Sequence, residues 1–99
     1  MTYKLIIRPE AERDLAEIFE WYENRRKGLG YDFLLQVEAG FNFIEKNPKI
    51  FPEIYRGARR YLIKRFPYKI YYRVDEDKVI ILAVIYGGRD PNLIRKRLR

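Results

Sequence analysis

The chain of 99 residues contains no cysteine, histidine or serine, and its only threonine is Thr2. Without cysteine there are no disulfides, thiolate metal ligands or thiol nucleophiles, and the missing disulfide framework is in keeping with a reducing compartment. The lack of histidine and serine further excludes the Ser–His–Asp arrangement, an imidazole general base and zinc sites built on histidine or cysteine. No stretch approaches the roughly 20 apolar residues of a membrane-spanning helix. Met1-Thr2-Tyr3-Lys4 leads into a short β-like run rather than the apolar core of a secretion signal. The expectation is a cytoplasmic protein with no membrane association, no metal and no cofactor.

What is present is apolar mass and positive charge. Apolar residues make up 47 % of the chain and aromatics 16 %, enough for one core, and residues 1–99 are expected to form a single domain. The formal net charge is +7, unevenly spread. Residues 1–50 hold eight basic against nine acidic groups, net −1, whereas residues 51–99 hold thirteen against five, net +8. A near-neutral half followed by a basic one reads as a scaffold followed by a contact surface for something acidic.

The chain opens with Tyr3, Leu5 and Ile7 alternating with Lys4, Ile6 and Arg8, a strand pattern stopped by Pro9. Ala11, Leu15, Ile18 and Tyr22 then form the apolar stripe of an amphipathic helix. Glu10, Glu12 and Asp14 near its start and Arg25, Arg26 and Lys27 at its end match the helix macrodipole, and Gly28 suits a left-handed exit. A metal or paired-acid site on this helix is conceivable, but the carboxylates are spread around it as on a solvated face. Leu34, Val37, Phe41 and Ile44 form a second stripe, with Phe33 beside it, that ends before Pro48. So short a connection predicts an antiparallel helical hairpin.

Residues 48–58 read as a loop. Arg59 to Phe66, Tyr68 to Val74 and Val79 to Tyr86 then read as three strands of an antiparallel meander, with Asp75-Glu76-Asp77-Lys78 as a turn. In the middle strand Ile70, Tyr72 and Val74 point one way and Lys69, Tyr71 and Arg73 the other, predicting one packed and one cationic face. The continuously apolar run Val79 to Ile85 predicts a strand inside the sheet with both faces covered. The hairpin covers one. Ile94 and Leu98, on a short C-terminal helix or tail, help to cover the other. The fold class is therefore α+β: an N-terminal strand, a two-helix hairpin, a three-stranded meander in one sheet, and a C-terminal helix or tail.

Arg60, Lys64, Lys69, Arg73 and Arg89 fall on or beside these strands together with Tyr61, Tyr71 and Tyr86. Arginine and lysine neutralise phosphates, and tyrosine faces stack unpaired bases, so the mixture suits a nucleic acid. The same residues are also ordinary strand formers and edge protectors. RNA cleavage at such a site would use the 2′-hydroxyl as nucleophile with cations stabilising the phosphorane, but tyrosine or lysine would need a lowered pKa to act as base. Gly87-Gly88 lacks the spacing of a phosphate loop and reads as a turn. Trp21 is either a partner anchor or a rim residue.

Arg65-Phe66-Pro67-Tyr68-x-Ile70-x-Tyr72-x-Val74, the apolar strand, Gly87-Gly88-Arg89-Asp90-Pro91 and the opening Pro9-Glu10-Ala11-Glu12-x-Asp14-Leu15 together resemble the RelE/ParE superfamily of type II toxin–antitoxin toxins (plasmid stabilisation proteins). The resemblance spans nearly the whole chain and lies closer to the ParE branch. It implies a growth-inhibiting toxin neutralised by a cognate acidic antitoxin, in a toxin–antitoxin hetero-oligomer. ParE-like action on DNA gyrase is the expected activity, without enzymatic chemistry. The alternatives are a RelE-like ribosome-dependent mRNA endonuclease and a nontoxic interaction module.

For a nuclease the implied catalytic group is Lys64, Lys69, Arg73 and Arg89, while Leu62 and Arg95 stand where that branch carries a lysine and a tyrosine. Arg60, Lys64, Lys69, Tyr71, Arg73, Arg89 and Arg95 are the expected target or nucleic-acid contacts. Trp21, Tyr22, Phe33, Val37 and Phe41 are the expected antitoxin-binding residues on the hairpin.

Overall fold

The computed structural model describes residues 3–99. A first strand, β1 (Lys4–Ile7), runs into helix α1 (Pro9–Arg25) and helix α2 (Leu29–Lys46). Pro9 takes the first helical turn, where its missing N–H costs nothing. Between the helices Gly28, at φ 90°, adopts the left-handed conformation that glycine supplies without steric penalty. Strands β2 (Ala58–Leu62), β3 (Tyr68–Asp75) and β4 (Lys78–Tyr86) follow, and a short helix α3 (Pro91–Arg97) closes the order.

The four strands form one sheet in the order β1-β4-β3-β2. The meander is antiparallel as expected, but β1 lies parallel to β4, with Lys4 opposite Lys78 and Ile7 opposite Ile81, so the sheet is mixed. The helical hairpin carries the chain back before the meander begins, and the free side of β4 is the edge left for β1. The first meander strand is shorter than the sequence pattern implies. It ends at Leu62, and residues 63–67 turn sharply, with Arg65 at φ 71° and the Ile63 amide bonded to the Tyr68 carbonyl.

The hairpin packs on one sheet face. Ala11 and Ile18 from α1 and Phe33, Val37, Phe41 and Ile44 from α2 meet Tyr61, Ile70, Tyr72, Val79, Ile81 and Val84. The Tyr72 hydroxyl, buried here, donates to the Pro48 carbonyl at 2.9 Å, as a buried phenol requires. The opposite face holds a second cluster of Ala58, Tyr71, Leu82, Ala83, Ile85 and Leu98, with Tyr55, Ile80 and Ile94 packed against it. β4 is thus covered on both faces, as its unbroken apolar run predicts. Leu82 is an extra residue in that strand, for Tyr71 faces Ala83 while Tyr72 faces Ile81, and this bulge lets neighbouring residues serve both layers.

Among the described residues no helix is long and apolar enough to cross a membrane.

Candidate functional site: a cationic cleft and an aromatic groove

The face that sequence alternation marks as open and cationic is roofed by α3. Tyr71 is only 1 % exposed, so it is a floor residue and not a stacking platform. The reason is apolar content. Leu82, Ala83 and Ile85 need cover on this side, and the ring of Tyr71 completes the surface on which Leu98 packs. Pro91–Arg97 accordingly form a helix, docked through Leu98 at its end, rather than a loose basic tail.

Where the roof ends a cleft opens, with a volume of about 270 Å³. Arg60 from β2, Lys69 from β3, Arg89 from the turn after β4 and Arg95 from α3 line it, over a floor of Tyr71, Ile94 and Leu98, with Tyr55 at the side. Among the described residues no carboxylate lines this cleft, and none of the four cations is in an ion pair. Of the expected contact residues, Arg60, Lys69, Arg89 and Arg95 thus share one concavity, with Tyr71 beneath them. The other two stand apart. Lys64 is exposed in the turn beyond β2, while Arg73 is engaged, donating from Nε to the Arg56 carbonyl at 3.2 Å and from Nη2 to the Leu98 carbonyl at 3.1 Å.

Burial pushes the Tyr71 phenol above its ordinary pKa, with the neighbouring Arg60 guanidinium pulling less strongly the other way. The cleft can therefore hold an anion through several cations, but its tyrosine is a poor proton acceptor at neutral pH. Among the described residues no three carboxylates gather to hold a metal ion.

A second, larger concavity of about 400 Å³ lies on the other side of α3. α1 supplies Asp14, Glu17, Ile18 and Trp21, the sheet supplies Tyr68, Val84, Ile85 and Tyr86, and Leu93 and Arg97 come from α3. Arg89 borders both concavities. Trp21 is 48 % exposed and the Arg25 guanidinium stacks over its ring at 3.7 Å.

The other residues expected to bind an antitoxin are placed differently. Phe33, Val37 and Phe41 are buried against the sheet, and Tyr22 is half-buried in an aromatic cluster with Phe33, Phe66 and Tyr68. The apolar stripe of a helix in a two-layer fold is what covers the sheet, so it is consumed by the core. The outward apolar residues of α2 are instead Tyr31, Leu35 and Phe43.

Sequence reasoning placed Asp14 only among the charges at the start of α1 and missed its partners. Its carboxylate accepts from the Val84 amide at 2.9 Å and from both terminal nitrogens of Arg97, at 3.1 and 2.8 Å. These partners lie 70 and 83 residues away, and local spacing carries no trace of them.

A helical hairpin on one face of a four-stranded mixed sheet, with a short helix on the other, is a fold shared with solved proteins of toxin–antitoxin systems. The chain superposes on a chromosomal ParDE system component from P. aeruginosa with a TM-score of 0.77, covering 86 % of this chain and 96 % of that one at 17 % identity. It superposes on a doubly substituted E. coli toxin RelE in the free state with a TM-score of 0.73 over the full length of both chains, at 15 % identity. A third likeness, TM-score 0.60 over 87 % of this chain and 99 % of the other at 22 % identity, is to the toxin–antitoxin complex RelBE2 from Mycobacterium tuberculosis.

The sequence decides between these relatives. A family model described as the ParE toxin of the type II toxin–antitoxin system parDE matches residues 5–91, and the chain belongs to that family. It is 27 % identical to Toxin ParE2 of Mycobacterium tuberculosis over 99 residues, covering 99 % of this chain and 94 % of that protein.

Proposed function

We propose that this chain arrests growth by binding DNA gyrase through protein contacts and is held inactive by an acidic antitoxin. Membership of the ParE family supports a toxin role. The observation that carries the choice of target is the make-up of the cleft: four cations and no carboxylate among the described residues, above a tyrosine whose pKa burial raises further from neutrality. Such a surface binds acidic partners but offers no ready base for phosphodiester cleavage at neutral pH.

Purified protein should inhibit supercoiling by gyrase, and induced expression should raise DNA-damage signalling while messenger RNA stays intact. Codon-positioned cleavage of messenger RNA in a translation extract, lost on Arg89→Ala, would replace this reading with a ribosome-dependent nuclease. The convergence of Arg60, Lys69, Arg89 and Arg95 is the feature favouring that second reading. Normal growth under strong induction would favour a nontoxic module on the same fold.

The antitoxin assignment draws on two structural relatives that come from toxin–antitoxin systems and on the +7 charge. Its docking ground is drawn from the exposed apolar residues of the hairpin, Trp21 in the groove beside α3 and Tyr31, Leu35 and Phe43 on α2, since Phe33, Val37 and Phe41 are internal. Association with the acidic product of a neighbouring reading frame should weaken as salt is raised. Calorimetry that finds no salt dependence removes the electrostatic part.

A further inference from the structure

Among the described residues the strand beside the outer edge of β4 is β1, and it pairs no further than Ile81. Beyond that point the Leu82 bulge reverses the phase of β4, so the Val84 amide points to the side that β1 has left. The Asp14 carboxylate meets it there, at 2.9 Å, in place of a neighbouring strand. The same carboxylate grips the Arg97 guanidinium with two bonds. The Asp14 side chain is 15 % exposed and that of Arg97 36 %, so the carboxylate end of the pair is partly shielded from the solvent screening that weakens surface ion pairs. One side chain of α1 therefore touches both β4 and α3.

Helix α3 has seven residues, far too few to persist without tertiary support. Its orientation matters because Arg95 and Arg97 are two positions apart, about 200° around the helix. Arg97 lines the groove beside α1, and Arg95 lines the cationic cleft on the opposite flank. Holding Arg97 against Asp14 thus sets the rotation that presents Arg95 to Lys69 and Arg60. It also steadies the preceding turn that carries Arg89.

We propose that Asp14 is a positioning residue for the cationic cleft: through Arg97 it fixes α3 so that Arg89 and Arg95 complete the ring begun by Arg60 and Lys69. This rests on the reading of the cleft as a contact site for an acidic partner.

The test uses the full chain and a single-stranded oligothymidylate as polyanion probe, with affinity measured against salt. Replacing Arg95 by alanine lowers the magnitude of the log–log salt slope by about 0.7, the loss of one phosphate contact on a single strand. Asp14→Ala is expected to lower it similarly and to weaken binding, although it removes a negative charge and by charge alone would tighten it. The double variant should bind no more weakly than the weaker single one. Amide exchange at Leu93, Ile94 and Leu98 should quicken in Asp14→Ala, with the hairpin and β3 still protected, and Asp14→Asn should recover part of both effects.

Arg97→Gln cuts the same contact while leaving the Val84 bond to Asp14, and guards against a fold defect in the alanine variant. Unchanged α3 exchange in both variants overturns the proposal. So does an Asp14→Ala protein that binds the probe as tightly as the parent, or losses from Asp14→Ala and Arg95→Ala that simply add. If the parent shows no salt-dependent binding, the contact-site reading fails instead, and α3 exchange alone then decides whether Asp14 positions the helix.

Discussion

Arg73 on β3 donates from Nη2 to the main-chain carbonyl of Leu98, 3.1 Å away. The bond closes a helix end that would otherwise leave a carbonyl unpaired, directly above the cluster in which the Leu98 side chain is 1 % exposed. Leu98→Ala should therefore cost about 2–3 kcal/mol, the lower part of the range for a buried leucine, since α3 can lift and limit the cavity. Arg73→Ala should cost less, about 1–2 kcal/mol, as two charge-assisted bonds to carbonyls are lost, the one to Arg56 in an exposed setting. Urea denaturation gives both values; a Leu98→Ala protein as stable as its parent would show that α3 does not dock.

The Glu23 carboxylate accepts from the Gly28 amide at 2.9 and 3.0 Å and from the Gly30 amide at 2.9 Å. It caps α2 from the preceding helix, placing negative charge against the positive end of the dipole. Glu23→Ala should lose about 1–2 kcal/mol. Glu20→Ala, exposed on the same helix, should stay within about 0.5 kcal/mol of the parent. Thermal unfolding of the two side by side checks the assignment.

Gly30 lies in the first turn of α2, where a Cβ would come within 2.7 Å of the Phe19 main-chain oxygen and 2.8 Å of its ring. Helix propensity alone favours alanine by about 1 kcal/mol. The obstacle is backbone, which cannot swing aside, so Gly30→Ala should instead destabilise by about 1–3 kcal/mol. A rise in melting temperature would mean that the two helices leave room for a methyl group at this crossing.

Tyr22, Tyr68, Tyr71 and Tyr72 all have pKa values raised above the ordinary phenol value, chiefly by burial. Ionisation is thus easier in the unfolded chain, which at high pH binds fewer protons than the folded one. Stability should be fully present below about pH 10 and fall as pH rises beyond it. In an absorbance titration these four should ionise only above the ordinary phenol range, with unfolding setting in as they do. Ionisation of these four at the ordinary phenol pKa, with the fold intact, would contradict their burial.

Elements whose cause lies within a few residues were legible in the sequence itself. The two apolar stripes, the acidic start of α1 with Arg25 at its end, the left-handed Gly28 and the alternation in β3, with Ile70 and Tyr72 in one cluster and Tyr71 in the other, each state a local preference, and each appears in the fold. The run from Val79 to Ile85 even implied cover on both sides of β4. Part of the site was equally legible, because cations cannot be buried cheaply and Arg60, Lys69, Arg89 and Arg95 had to remain near water.

Other features were decided by partners that meet only after the chain has folded. Alternation shows that Lys69, Tyr71 and Arg73 share a sheet face, but whether α3 lies across it depends on the packing of Leu98 and on Asp14 gripping Arg97 across 83 residues. The stripe on α2 was identical in sequence terms whether it met the sheet or a partner, and the sheet took it. The basic surface is thus a consequence of composition. Its shape, a cleft of four cations beside a short latched helix, comes from long-range contacts whose free energy is gained only in the assembled fold.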